Sequence, residues 1–314
     1  LNFSPLQKPS KLLALEAITP RLSVGDPLYE KFEIQLKKET TGYYGEKSLD
    51  YYFKMVSDQA IRLSDLRLSH SSGYFQIDHL LLFKSFLLIV EVKTFHGNFT
   101  YDPQTRKLEK VLEHGGTRRY DCPVTQASIQ KKHLQSKLQY WNAPPIPIHT
   151  LAVFAEPSAT LTLMSPEQDF IYSQQILNRL PELQQFYKQD YYRMQDLKSL
   201  AFKLKEHAEK HHVNLVDQFG ISRDRIRCGV WCTGCKIDMM NRSKRSWHCP
   251  SCGHQDSQAH RKALQEYKHI YGERITNKEA REFLRVESSE VVKRMLINSC
   301  KRKEGSYRHT VYYV

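Results

Sequence analysis

The stretch FQIDHLLLFKSFLLIVEVK, residues 75–93, constrains this chain more than any other. Its apolar part is broken only by Lys84 and Ser85, and two apolar runs joined by a two-residue turn read as an antiparallel hairpin. Across that turn Leu82 faces Leu87, Leu80 faces Ile89 and Asp78 faces Glu91, while strand alternation puts Lys93 on the face of Glu91. Carboxylates opposite one another in a sheet repel. Apolar surroundings raise that cost unless a cation or a proton neutralises the pair. Asp78 and Glu91 therefore suit a hard divalent cation, Mg²⁺ or Mn²⁺, that also takes substrate phosphate, and Lys93 suits charge growing on a phosphoryl oxygen. The bland alternative is a solvated Glu-x-Lys pair; apolar neighbours on both sides and the register of Asp78 weigh against it.

Around the hairpin, TGYYGEKSLDYYFKMVS (41–57) repeats apolar residues at helical spacing, so a helix is expected with Glu46 in its first turn. AIRLSDLRLS (60–69), the hairpin and GNFTYD (97–102) read as consecutive strands. PVTQASIQKKHLQSKLQYW (123–141) returns to helix with Pro123 near its start, and IHTLAVFA (148–155) is another buried strand. This order describes an α/β domain over residues 41–160.

The spacing of Asp78, Glu91 and Lys93 resembles the PD-(D/E)xK restriction-endonuclease-like core, a mixed sheet flanked by helices. More narrowly, YYGEKSLDYYF, FQIDHLLL, FLLIVEVKTFHGNFTYD and CPVTQASIQKKHL resemble, in order, blocks of the nuclease-related domain (NERD) family. The resemblance implies Asp78 and Glu91 as metal ligands with the Val92 carbonyl as a third, and Lys93 as the catalytic lysine. It also brings Glu46 towards the metal and gives Gln126 the task of orienting water or phosphate. Cys122 stands where related sequences often carry Asn or Asp before the proline. His79 and His96 read as neighbours of the site.

Five of seven cysteines fall between Cys228 and Cys252, and Cys232-x₂-Cys235 with Cys249-x₂-Cys252 has zinc-ribbon spacing. Four thiolates close a tetrahedral Zn²⁺ and leave no position for water, so this zinc is structural. Cys228, His248 and His254 read as bystanders. Arg242, Lys244 and Arg245, between the knuckles, are candidates for nucleic-acid contact; a plain folding staple is the alternative.

Residues 222–314 hold 20 Lys and Arg against 10 Asp and Glu, and so carry +10 of the chain's +13. That concentration makes polyanions the first partner to consider. ITNKEAREFLRVESSEVVKRML (275–296) reads as helix, three-residue turn, helix, with Thr276 and Glu279 as a capping box. With KRKEGSYRHTVYYV behind it, the segment looks like a small winged-helix-like domain. Ser289, Lys293 and Arg294 would then face a groove, and Arg302, Lys303 and Arg308 would approach phosphates.

The expected organisation is an N-terminal extension (1–40) packed on the next domain, the nuclease-like domain (41–160), a helical connecting segment (161–224), a zinc ribbon (225–256) and the winged-helix-like module (257–314). The expected activity is a Mg²⁺- or Mn²⁺-dependent phosphodiesterase, an endonuclease on double-stranded DNA, in the cytoplasm, with a second copy or an activating protein as a further partner. Two rivals stay open: a noncatalytic DNA-binding or regulatory protein that keeps the fold, and an RNA-cleaving nuclease.

Overall fold

The structure, a computed structural model, describes residues 6–56, 60–156, 158–209, 213–306 and 310–314. It divides into two compact units, Leu1–Pro9 with Thr40–His211, and Ser10–Glu39 with His212–Val314. The extension read at 1–40 is thus shared between them. Two helices open the chain, α1 (Ser10–Ile18) and α2 (Tyr29–Val56), and the division falls inside α2.

Within the first unit follow β1 (Ile61–His70), β2 (Gly73–Leu82), β3 (Leu87–Lys93), β4 (Asn98–Asp102), β5 (Lys107–Val111), β6 (Thr117–Tyr120), α3 (Pro123–Tyr140), β7 (Ile148–Phe154), β8 (Thr160–Leu163), β9 (Phe170–Tyr172), α4 (Ile176–Phe186) and α5 (Met194–Glu206). The main sheet has the order β1-β2-β3-β7-β9. β1, β2 and β3 are antiparallel, and α3 carries the chain across to β7, which lies parallel to β3. Both sheet faces are covered. Leu80, Leu87 and Ile89 pack with Leu134 of α3 and Leu200 of α5 on one face; Leu81, Leu88 and Val90 pack with Leu49 and Phe53 of α2 and Leu180 of α4 on the other. A strand buried on both sides needs an unbroken apolar run, which is why Leu87–Val90 reads that way.

The hairpin register over 79–82 and 87–90 follows from the two-residue turn, closed by the Phe83 N–H donating to the Phe86 carbonyl at 2.9 Å. A second sheet, β6-β5-β4-β8, packs Phe99, Tyr101 and Leu108 against Phe154 and Phe170. Its β5–β6 hairpin is absent from the sequence reading because KLEKV and TRRY offer one buried residue, Leu108, for alternation to reveal.

α2 departs from the expected helix. It begins at Tyr29, so Glu46 lies deep inside it and the helix N-terminus has no bearing on that carboxylate. The run 29–42 is too polar to show a core-facing stripe, and its helical continuity was hidden for that reason.

The second unit contains α6 (Leu215–Phe219), β10 (Asn241–Ser243), β11 (Ser246–His248), β12 (Gln255–Asp256), α7 (Ala259–Tyr271), β13 (Arg274–Thr276), α8 (Asn277–Leu284), α9 (Ser289–Ser299), β14 (Arg302–Glu304) and β15 (Val311–Tyr313). One core runs through all of it, joining Leu15 and Ile18 of α1 to Trp247, Leu264, Phe283, Leu296 and Tyr312. Arg21 ties this core together. Its buried guanidinium donates to the Arg227 carbonyl (2.8 Å), the Gly229 carbonyl (3.1 Å) and Glu266 (2.6 Å), and lies 4.5 Å over the Phe283 ring. The capping box forms as read, and Ser288 accepts from the Val291 N–H to start α9.

Candidate active site and cysteine cluster

Asp78, Glu91 and Lys93 meet at the C-terminal end of β3. Regular alternation would put Ile77 and Leu80 on opposite faces, yet both enter the same core cluster, so the pleat of β2 slips at Asp78 and His79, opposite Asp65 with its φ of 53°. The β2–β3 ladder stops at His79 and Val90, one pair short of Asp78 and Glu91. There the Val92 N–H donates to Asp78 Oδ2 at 2.8 Å, side chain replacing backbone.

Glu91 is buried, with 1% of its surface exposed, and both its oxygens are engaged. Lys93 Nζ donates to Oε1 at 2.6 Å and Gln130 Nε2 donates to Oε2 at 2.7 Å. Lys93 Nζ also donates to Gln126 Oε1 at 2.9 Å. Gln126 and Gln130, one turn apart on α3, therefore hold the lysine and the glutamate from the same helix face. Gln130 escaped the sequence reading; its i+4 relation to Gln126 was the available signal. An ionised carboxylate offers about four lone-pair sites, so these bonds leave Asp78 and Glu91 able to accept a cation.

Asp78 titrates well above the ordinary carboxylate range. Burial is the main cause, with the negative charges of Glu91 and Glu46 adding to it; the Val92 N–H and Lys93 pull the other way. A half-buried acid pressed by two others is the environment in which a bound cation is favoured. The donor set fits a divalent ion of the Mg²⁺ class.

Glu46 is brought near by two devices. A Cβ at Gly45 would overlap the Thr94 methyl, so only glycine lets α2 lie against the chain just beyond Lys93. His79, fully buried, bridges β1 and α2: its Nε2 lies 3.2 Å from the Glu46 carbonyl and its Nδ1 2.9 Å from Ser64 Oγ. Since a carbonyl only accepts, Nε2 carries the proton and Nδ1 accepts from the serine. Burial, then the charge of Arg62, lowers the His79 pKa to about 4, so the ring is neutral at pH 7. His96 instead lies 3.3 Å from Glu156. Cys122 is the N-cap of α3, where its carbonyl accepts the Gln126 N–H at 3.0 Å; its side chain makes no cap bond. Instead the thiol lies 3.7 Å from the Tyr101 hydroxyl.

In the second unit the four sulfurs of Cys232, Cys235, Cys249 and Cys252 lie within 4.8 Å of one another. Among the described residues this is the only compact group of three or more metal-ligating side chains; Glu46, Asp78 and Glu91 do not close to that degree. Cys232 to Cys252 and Cys235 to Cys249 both measure 3.7 Å, close to the edge of about 3.8 Å expected for four sulfurs at 2.3 Å from a tetrahedral zinc. The residues fit that ion. The second knuckle turns through Gly253 at φ 71°, with its N–H on the Cys249 carbonyl at 3.1 Å. Burial raises the Cys232 thiol, but the N–H groups of Cys235 and Gly234 outweigh it and bring the pKa down to about 6. Cys228 and His248 lie outside the group, and His254 lies 3.1 Å from Thr233 Oγ1.

Lys244 and Arg245 are exposed at the β10–β11 turn, whereas Arg242 is half-buried in β10. Lys293, Arg294, Arg302 and Lys303 are exposed; Ser289 donates to Asn277 Oδ1 at 3.1 Å. Arg308 lies outside the described residues. Among those residues no helix is long and apolar enough to cross a membrane. No curated protein matches the chain. Residues 41–155, which contain Glu46, Asp78, Glu91, Lys93 and Gln126, match the family model of the nuclease-related domain.

Proposed function

We propose that the chain is a metal-dependent nuclease that hydrolyses phosphodiester bonds in double-stranded DNA, with the carboxylate cluster of the first unit as its active site. The observation that carries this reading is the convergence of Asp78, Glu91 and Lys93 at one strand end, with Gln126 and Gln130 on them. The match of residues 41–155 to the nuclease-related domain supports it.

Asp78 and Glu91, with the Val92 carbonyl, would hold Mg²⁺ or Mn²⁺, which supplies Lewis-acid stabilisation of the phosphoryl group when bound. Lys93 would place its ammonium against the charge that develops on a phosphoryl oxygen. It is preorganised for this by Glu91 and Gln126, which hold Nζ at 2.6 and 2.9 Å. Gln126 is exposed and can turn its amide to a water or a phosphate. Glu46 would raise the negative potential that retains the cation.

In the second unit the four cysteines would take a structural Zn²⁺. The element order from α7 to β15, with sheet order β13-β15-β14, supports a winged-helix-like reading in which α9 enters a groove. Lys244, Arg245, Lys293, Arg302 and Lys303 would meet phosphates.

A noncatalytic DNA-binding protein is favoured by one feature, the pairing of Glu91 with Lys93 and Gln130, which engages each carboxylate oxygen once without a metal. Incubation with supercoiled and linear plasmid in Mg²⁺, Mn²⁺ or no added metal separates the two. Cutting that needs metal and disappears in Lys93→Ala and Asp78→Asn is expected. Intact DNA in every lane, with equal binding by all three proteins, supports the noncatalytic reading.

A further inference from the structure

Most charges in the second sheet of the first unit face a charge of opposite sign. Asp102 lies opposite Lys107 across β4 and β5, and Glu109 lies opposite Arg119 across β5 and β6. One pair breaks this pattern: Lys110 of β5 lies directly opposite Arg118 of β6. Opposed residues of an antiparallel pair share a face with Cβ atoms about 5 Å apart, and like charges so placed are destabilising. Among the described residues neither Lys110 nor Arg118 forms an ion pair with a carboxylate.

Both cations rest instead on one aromatic pair. Lys110 Nζ lies 6.0 Å from the centre of the Phe99 ring and Arg118 Cζ 5.7 Å from that of Tyr120, and these two rings meet edge to face at 5.3 Å. Phe95, two residues beyond Lys93, touches both rings at 5.1 Å. The Lys110 side chain also lies along Gly97, where an added Cβ would come within 2.9 Å of its Cε. Gly97 follows Lys93 by four residues, a chain span of at most about 14 Å. From the other side, β6 runs through Cys122 into α3, the helix that carries Gln126 and Gln130. Lys110 and Arg118 are thus tied from two directions to the end of β3 where Asp78, Glu91 and Lys93 meet.

We propose that Lys110 and Arg118 together bind one backbone phosphate of the DNA, beside the phosphate that reacts at Lys93. This rests on the nuclease reading above. A phosphate between the two cations replaces their repulsion by two charge-assisted contacts, and the guanidinium fits its oxygens in a planar fork. DNA carries one phosphate per about 3.4 Å of axis on each strand, so this contact lies a few steps from the scissile bond. It positions the duplex and reads no base.

The test is fluorescence anisotropy of a short labelled duplex with the full chain, without added divalent metal, across a salt series. Lys110→Gln and Arg118→Gln are each expected to weaken binding roughly tenfold and to lower the salt slope by about one. Arg119→Gln, on the opposite face, should change neither. Arg118→Glu gives Lys110 a partner, so it should raise the melting temperature of the first unit while weakening duplex binding further. In a second arm, cleavage of the duplex in Mg²⁺ should show KM raised roughly tenfold by Lys110→Gln and Arg118→Gln, with kcat retained.

Metal-dependent cutting by wild type, with affinity and KM unchanged in both variants, overturns the site and leaves the nuclease reading standing. Binding losses confined to Lys110→Gln and Arg118→Gln, in a protein that cuts no DNA, support the phosphate contact and remove the nuclease reading. An equal loss in Arg119→Gln marks a diffuse basic surface and overturns the proposal, as does a wild type with no affinity for the duplex.

Discussion

The two units solve the same problem, a cluster of like groups, in opposite ways. In the second unit four thiols sit at the spacing that a tetrahedral ion requires. In the first unit Asp78, Glu91 and Glu46 press on one another, but a lysine and two glutamines moderate them and the set stays open on the Gln126 side. A closed set stabilises a fold and an open one can exchange ligands. The difference teaches that charge clustering alone does not mark a reactive site; what counts is how many donors remain unspent.

The comparison is broken most severely at the cysteines. Cys249→Ala, or a chelator strong enough to strip zinc, should remove the cooperative transition of the second unit, since structural zinc carries about 10–16 kcal/mol of apparent folding energy in small domains. Hydrogen exchange over residues 228–256, read beside the zinc content, checks this; protection that persists without metal would make the cluster ornamental. Next in size is Arg21→Leu. It leaves Glu266 without its buried partner and should cost roughly 3–5 kcal/mol, seen in denaturant melts of the second unit. A loss under about 1 kcal/mol would mean that the core does not depend on this anchor.

A smaller effect is expected from pH. Burial first, then Arg242 and Arg261, hold the His260 pKa at about 4 against 6.5 for the free side chain, with Asp256 opposing. Between those values the unfolded chain binds the extra proton. The stability of the second unit is therefore undiminished above pH 6.5 and falls by about 3 kcal/mol as the pH drops towards 4. Urea melts at intervals over that range, with His260→Gln as reference, measure it; equal slopes for the two proteins would deny His260 the role. The smallest change is Gly45→Ala. Overlap with Thr94 should cost about 1–2 kcal/mol net of the helix propensity gained, and should displace Glu46 from the site. Melting of the first unit together with the nuclease assay reads both consequences.

What the sequence disclosed follows the same division. The hairpin register was legible because Lys84 and Ser85 interrupt an apolar run whose alternation admits one pairing. The cysteine knuckles were legible because their ligands are local. Distributed features were hidden. KLLALEAI announces burial of α1 but not its partners, which lie in a core some two hundred residues away along the chain, and the Arg21 contacts with Arg227 and Gly229 carry no local signal. Gln130 and His79 act on Glu91 and Glu46 from different elements, so their roles appear only when α3 and α2 are docked. Glu46 was assigned to a first turn because the polar residues 29–42 conceal the helix that precedes it.

The central claim is that the carboxylate cluster would serve as a coordination set for a divalent cation rather than as a settled ion-pair network. Titration of Mn²⁺ into the zinc-loaded protein, followed by electron paramagnetic resonance, tests it most directly. The account predicts saturable Mn²⁺ binding that is lost in Asp78→Asn, unaffected by Arg294→Gln, and competed by Mg²⁺. Wild type and Asp78→Asn leaving equal amounts of free Mn²⁺ at every concentration would contradict it.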